Sequence, residues 1–261
     1  MEERAASVAP HAESAPALSV IIPALNEAHS IGLTLDAVSA AARGAEVIVV
    51  DGGSGDATVE IARGRGVRVI ASARGRGAQM HAGACAARGR VLWFVHADTR
   101  PGSGCAEQIL EALRDPSVVA GNFRVIFDGD SRAARFLTWF YPRLRRIGLC
   151  YGDSAIFVRC DVYERVGGFR AFPVFEDLDL VRRLREVGRV THLTATVTTS
   201  SRRFEGRSFA LTFARWSLLQ VLYWLGVRPR TLGRLYAPAR GASQGVRRDE
   251  LLRGRRSPEI L

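Results

Sequence analysis

Four short apolar runs, each followed by a stretch of helical periodicity, constrain this chain more than any other feature. Leu18 to Pro23, Glu46 to Asp51, Val67 to Ala71 and Arg90 to His96 read as strands. Ile31 to Ala42, Asp56 to Arg63, Ala78 to Ala87 and Cys105 to Leu113 read as the helices that follow them. Ile31, Leu35 and Val38 give the first helix its apolar face, and Asp56 suits the N-cap of the second. Strands that are apolar throughout are buried on both faces, so β-α units in series imply a parallel sheet with helices on either side. Ligands of such sheets bind beyond the carboxyl ends of the strands. Those ends carry Asn26 and Glu27, then Asp51, then Arg74, then His96 and Asp98. A pocket is expected at that edge.

The pattern changes after residue 115. Val118 to Phe127 reads as a strand, Ala133 to Ile147 as an arginine-rich helix, and Ala155 to Arg159 as a strand before a helix near Cys160 to Val166. Phe175 to Val187 reads as a helix and Val190 to Ser200 as a strand. This mixed α/β half is expected to close the pocket from the other side. Residues 1–17 contain acids and no apolar run, so they read as a disordered lead and not a signal peptide. Residues 236–261 read as a basic flexible tail.

Charge separates the chain into two parts. All 37 basic residues are arginine. The first 200 residues carry 24 of them against 22 acids, and the remainder carries 13 against 4. A domain that is nearly neutral with a basic end is not a nucleic-acid binder throughout. Arg202, Arg203, Arg207, Arg215, Arg228, Arg230 and Arg234 flank an apolar segment, Phe209 to Val227, that contains Trp216, Tyr223 and Trp224. Its uncharged core, Trp216 to Val227, is too short to span a bilayer. It either lies on an anionic membrane surface or caps the core. Four cysteines without a C-x-x-C or zinc-finger spacing fit a reducing, cytoplasmic setting.

The phosphate-binding motifs of the commonest α/β folds are missing. Pro23-Ala-Leu-Asn-Glu27 follows the first strand where G-x-G-x-x-G would stand, and no lysine exists to complete a P-loop. A carboxylate-based site remains. Asp51, before Gly52-Gly-Ser54-Gly, can accept hydrogen bonds from a base or ribose, or can simply close a turn. Arg74 and Arg76, before a helix, suit a phosphate or ribose, or a solvated face. His96, past the fourth strand, can simply be a hydrogen-bonded histidine at a strand end. Glu176, Asp177 and Asp179 supply a base at a helix start, or complement the helix dipole.

Val20 to Glu27 with Val49 to Asp56 forms a combination more specific than either part. With Arg74 to Gly83, Phe94 to Thr99, Tyr151 to Phe157 and Phe175 to Leu184, it makes the chain strongly resemble the family 2 glycosyltransferases over residues 18–235. Within that family it is similar to a small bacterial subgroup of stand-alone enzymes of the radical-SAM/selenodomain-associated type. The resemblance implies a GT-A fold: a Rossmann-like, mostly parallel central sheet with helices on both faces and a mixed α/β acceptor half. It divides the chain into a nucleotide-sugar half (18–115), an acceptor half (116–205) and an amphipathic C-terminal helix region (206–235). It implies transfer of a sugar from a nucleotide sugar, UDP-linked by default, to an acceptor hydroxyl with inversion. Asp177 then acts as base beside Glu176. Pro23, Asn26, Glu27, Asp51, Gly52, Ser54, Arg74, Gln79, His96 and Asp98 line the donor site, and Gly152, Asp153 and Ser154 the acceptor site. Mn²⁺ or Mg²⁺ is expected on Asp98, with His96 as a second ligand or as a wall of the sugar pocket. Here His96-Ala-Asp98 stands where the family has D-x-D, and Ser154 where relatives show glutamine. The acceptor is expected to be lipid-linked or amphiphilic, the enzyme peripheral on the inner face of the cell membrane, and nucleic acid no partner. A sugar nucleotidyltransferase and a non-catalytic nucleotide-sugar or nucleic-acid binder are the rival readings. The first lacks its glycine-rich basic loop after the opening strand, and the last would need exposed, interleaved aromatics.

Overall fold

The structure is a computed structural model that describes residues 16–146, 150–202 and 208–236. Most of the expected lead and tail, and Arg203 and Arg207, lie outside the described residues.

The first half follows the expected β-α series: β1 (Leu18–Ala24), α1 (Ile31–Ala41), β2 (Glu46–Asp51), α2 (Thr58–Gly64), β3 (Arg68–Ala71), α3 (Arg76–Ala86) and β4 (Val91–Phe94). A three-residue strand β5 (Thr99–Pro101), absent from the sequence reading, precedes α4 (Cys105–Ala112). It is too short to show periodicity and exists because it pairs antiparallel with a distant strand. The second half runs β6 (Val118–Phe127), α5 (Arg132–Arg146), a 3-10 turn at Gly152–Ser154, β7 (Phe157–Arg159), α6 (Cys160–Arg165), α7 (Glu176–Val187), β8 (Arg189–Thr199), α8 (Phe209–Trp224) and α9 (Pro229–Tyr236).

The eight strands form one sheet in the order β3-β2-β1-β4-β7-β6-β8-β5. β3, β2, β1 and β4 are mutually parallel, β7 runs antiparallel to both neighbours, and β6 and β8 are parallel. Successive strand residues point to opposite faces. Val20, Ile22, Val49 and Trp93 therefore enter one core with α1, α4 and α5, while Ile21, Ile48, Val50 and Phe94 enter the other with α3, α6 and α7. α3 lies very close to the sheet, since a Cβ on Gly83 would collide with Ile21 and Val50. This is the GT-A arrangement, a mixed α/β sheet covered on both faces. Among the described residues, no helix is long and apolar enough to cross a membrane.

Candidate active site

The strand order reverses at β1, with β2 and β3 on one side and β4 on the other. Ligands of α/β sheets bind at such a switch point. The β1-β4 ladder ends at Ile21 and Phe94, while β1 continues beside β2 as far as Ala24 and Asp51. Pro23 lies in this extension, where it has no β4 neighbour that needs its missing N–H.

The loops after β1 and β2 are tied together. Asn26 adopts a left-handed backbone (φ 55°). Its Oδ1 accepts from the Gly55 amide at 2.8 Å, and its own amide donates to Ser54 Oγ at 2.9 Å. The Glu27 amide donates to Thr58 Oγ1 and the Ala28 amide to Asp56. α2 starts at Thr58, two residues later than expected, because Asp56 spends its carboxylate on the Ala28 and Thr58 amides instead of continuing the helix. Asp51 closes its own turn, accepting from the Gly53 amide at 3.0 Å and the Ser54 amide at 3.1 Å. Its remaining lone pairs leave capacity for a ligand donor.

Gln79 is buried beneath these loops. Its Nε2 donates to Ala24 O and Val50 O, both at 2.8 Å, and so clamps the ends of β1 and β2. Gly52 packs against the same amide. Gln79→Leu takes a buried donor from Val50 O and one of two from Ala24 O, which keeps the Gly52 amide, and is expected to cost about 2 kcal/mol, a fall in Tm of roughly 4–8 °C. Thermal unfolding checks this; an unchanged Tm with weakened donor binding would make Gln79 a contact and not a clamp. Arg74 is exposed on the loop before α3.

Past β4 the chain places two further polar groups. His96 is buried, and its Nδ1 donates to Asp153 Oδ1 at 3.0 Å. Its Nε2 is buried against Gly152 without a partner. Asp98 is partly exposed, with the guanidinium of Arg202 at 3.9 Å. Arg202 also donates to Glu27 Oε2 at 3.1 Å. Among the described residues, no three His, Cys, Asp or Glu side chains group as a metal-holding set. His96 is turned to Asp153, and Asp98 is the carboxylate left at the strand end with solvent access.

Glu176 and Asp177 open α7 and are both buried. Phe175, just before them, takes a left-handed backbone (φ 60°), which a bulky residue adopts only when its surroundings enforce it. Its ring is held against Trp216 and Tyr223 of α8. Asp177 Oδ2 accepts from the Gly152 amide at 2.6 Å, and Oδ1 from the Leu178 amide at 2.7 Å. Glu176 Oε1 accepts from Arg76 Nε at 2.5 Å, while its Oε2 is buried without a partner. Burial, reinforced by the neighbouring Glu176, pushes Asp177 up to about 6, against the opposing pull of Arg76 and the Gly152 and Leu178 amides. The carboxylates around Arg76, Glu176 foremost, hold its guanidinium firmly protonated. A Cβ on Gly152 would press on His96, so only glycine lets this turn lie between His96 and Asp177.

The structure thus brings His96, Gly152, Asp153, Glu176 and Asp177 together. Ser154 is buried behind them, donating to Tyr151 O and accepting from Asn122 Nδ2 at 2.8 Å. Asp179 faces elsewhere and is neutralised by Arg183 and Arg170. A cleft beside Asp177 is lined by Arg76, Tyr151, Asp153, Phe175, Trp216 and Leu219. In the sequence Arg76 reads as a phosphate or ribose contact or as a solvated face; its partner Glu176 lies 100 residues away, and no local signal announces the pair. Arg202, three residues past β8, stands out in the sequence only as part of the basic flank of the apolar segment, not as a partner of Glu27 and Asp98. A separate hollow lined by Leu35, Arg43, Arg65 and Val67 opens at the amino ends of β2 and β3, away from all of these groups.

The profile of "Glycosyl transferase family 2" matches residues 19–166. A curated relative, Glycosyltransferase AglE of Haloferax volcanii, is 31% identical over 171 residues, covering 59% of this chain and 56% of the relative. The chain thus spans little more than half of that relative's length. Among solved structures, mannosyltransferase PcManGT of Pyrobaculum calidifontis, in complex with GDP-Man and Mn²⁺, superposes with a TM-score of 0.62 at 20% identity, over 84% of this chain and 66% of that one. S. aureus TarS in complex with UDP-GlcNAc gives a TM-score of 0.57 at 17% identity, over 74% and 60%.

Proposed function

The chain belongs to glycosyl transferase family 2, and from that premise we propose that it moves a sugar from a nucleoside-diphosphate sugar, UDP-linked by preference, to an acceptor hydroxyl with inversion. The observation that carries this reading is Asp177: a buried carboxylate at a helix start, beside a cleft, raised to about 6. In a single displacement the acceptor oxygen bonds to the anomeric carbon as the bond to the diphosphate breaks. The acceptor proton passes to Asp177. A base poised near neutral pH suits that transfer. Arg76 and Glu176 are positioning residues, because Arg76 keeps a positive charge beside two buried carboxylates.

The donor lies along Pro23 to Glu27, Asp51 to Ser54, Arg74 and the 96–98 segment, over the framework that Gln79 clamps. The acceptor lies toward Gly152, Asp153 and Ser154. On this reading 18–115 serves as the donor half, 116–205 as the acceptor half and 206–235 as the C-terminal region. A divalent cation, Mn²⁺ or Mg²⁺, would be held by Asp98, with the donor's phosphates completing its shell, as such ions commonly bind through one or two carboxylates. Its chemistry would be to offset charge gathering on the departing diphosphate. Arg202 adds a positive charge at the same place. His96 positions Asp153, taking up a role different from that of the acid in D-x-D. The motif set supports reading the chain as a member of the stand-alone, radical-SAM/selenodomain-associated bacterial subgroup. A lipid-linked or amphiphilic acceptor fits the aromatic wall formed by Tyr151, Phe175 and Trp216, with the enzyme in the cytoplasm at the inner face of the membrane.

The pH profile tests the base. Only the carboxylate accepts a proton, so kcat/KM for donor turnover is expected to rise as pH climbs through about 6 and to level off above it. A profile flat down to about pH 4, the ordinary carboxylate range, would remove Asp177 from that role. Stability should show the opposite trend. The folded value lies above the unfolded one, so this group's stabilising contribution is complete below about pH 4 and is lost as pH rises through about 6.

A further inference from the structure

α8 is apolar on two sides. Its inner side contributes Trp216 and Leu219 to the cleft and Gln220 to a buried hydrogen bond with the Tyr151 hydroxyl at 3.0 Å. Its outer stripe, Leu211, Leu218 and Leu225 at seven-residue intervals with Val221 and Trp224, faces solvent. Leu211 is 72% exposed and Leu225 75%. A helix that is apolar all round is normally buried on all sides. Among the described residues, this one is covered on one side only.

The stripe does not stand alone. Phe136 of α5 packs edge-on against Phe209 and Phe213 of α8, which joins the two helices into one face. α5 adds Phe136 and Trp139 to the exposed set, the latter 56% open beneath the guanidinium of Arg143 at 3.5 Å. Of the 11 large exposed hydrophobic side chains among the described residues, eight lie on α5, α8, α9 or the turn after α8. Clustering of this kind marks an interaction surface.

Charge identifies the partner. Residues 132–146 and 208–236 together carry nine arginines and no acid. Arg135, Arg143, Arg215, Arg228, Arg230 and Arg234 are exposed there. A second copy meeting this face about a two-fold axis would set arginine against arginine. Leu and Trp side chains rimmed by arginine, without an opposing carboxylate, instead match the interface of an anionic bilayer, where apolar groups enter the acyl boundary and arginines meet phosphate.

We propose that the α5–α8–α9 face docks on anionic phospholipid bilayers. Because α8 is also a wall of the cleft beside Asp177, docking would bring a membrane-borne acceptor hydroxyl to the base. That last clause rests on the transferase reading; the docking surface does not.

The test is co-sedimentation of the full chain with vesicles of phosphatidylcholine alone and of phosphatidylcholine mixed equally with phosphatidylglycerol. Binding is expected to the mixed vesicles, to weaken with salt, and to be minor on the neutral ones. Leu218→Asp combined with Trp224→Asp should lower partitioning more than about tenfold. Arg228→Ser and Arg230→Ser should each lower it about fivefold, without touching packing. Stabilisation by UDP-GlcNAc or GDP-Man is measured in parallel on every variant. Its retention confirms folding, and its absence from the unaltered chain would count against the transferase reading alone. No binding to mixed vesicles at low salt would overturn the proposal. So would a dimer that the double variant dissociates in the absence of vesicle binding.

Discussion

Asp177→Asn is expected to lower kcat by about a thousandfold, the scale of a lost general base, with donor affinity nearly unchanged. The substitution keeps the shape of the side chain and its acceptor oxygen, so one of the two amide contacts, from Gly152 or Leu178, is retained. It removes the group that takes the acceptor proton. It also removes a carboxylate whose ionised form is costly to bury, so the variant should be at least as stable as the parent near neutral pH. Single-turnover kinetics with a saturating donor check the first expectation, and thermal unfolding the second. A variant with full turnover would place the base elsewhere. Asp153, tied to His96 and lining the same cleft, would be the next candidate.

The second large effect is expected at Arg76. Arg76→Met leaves Glu176 buried at 1% exposure with neither oxygen paired by the lost guanidinium. Breaking a fully buried ion pair costs about 3–5 kcal/mol. The Arg76 side chain keeps 39% of its surface open, so solvent already screens part of the pair, and about 2 kcal/mol is the appropriate expectation. The more specific result is electrostatic. Arg76 pulls Asp177 downward, so its removal should move the acid limb of kcat/KM to higher pH and restore part of the activity in alkaline buffer. Arg76→Lys retains the charge and should hold the limb near its original place while losing some rate through altered geometry. A limb unmoved in the methionine variant would make Arg76 a structural residue only.

The first half of the fold was legible because its strands are apolar throughout and its helices carry clear periodicity. β1 through β4 and their polar carboxyl ends follow from local pattern alone. β5 was not legible, because three residues show no period and the strand depends on pairing with β8. The reversal of β7 against β4 and β6 is likewise a tertiary choice. Within the site, motif order pointed to Glu176 and Asp177 but not to what tunes them. Arg76 is one arginine among 37, and its value depends on Glu176 from the far half of the chain. His96 matched a metal position in order but turned to Asp153, a contact across 57 residues. Gln79 matched a donor motif, yet its amide is spent on two strand ends. The apolar outer stripe of α8 was readable as a segment. Its union with α5 was not, because only packing brings Phe136 to Phe213.

Asp98 offers a narrower check on the cation. Asp98→Asn should weaken Mn²⁺-dependent donor binding and leave stability without ligand nearly unchanged, since the side chain is partly exposed. Equal donor affinity with Mn²⁺ and with EDTA in the unaltered chain would assign the diphosphate to Arg202 and the backbone instead.

The most direct measurement is thermal unfolding with nucleotide sugars, UDP-GlcNAc and GDP-Man among them, in the presence of Mn²⁺ or Mg²⁺. A ligand that binds the native state must stabilise it. At a hundredfold excess over Kd the gain is about 2.7 kcal/mol, or roughly 5–10 °C for a domain of this size. The site described here predicts such a shift with at least one nucleotide sugar, larger than with the free sugar. No shift with any of them would contradict the assignment of this cleft to nucleotide-sugar chemistry.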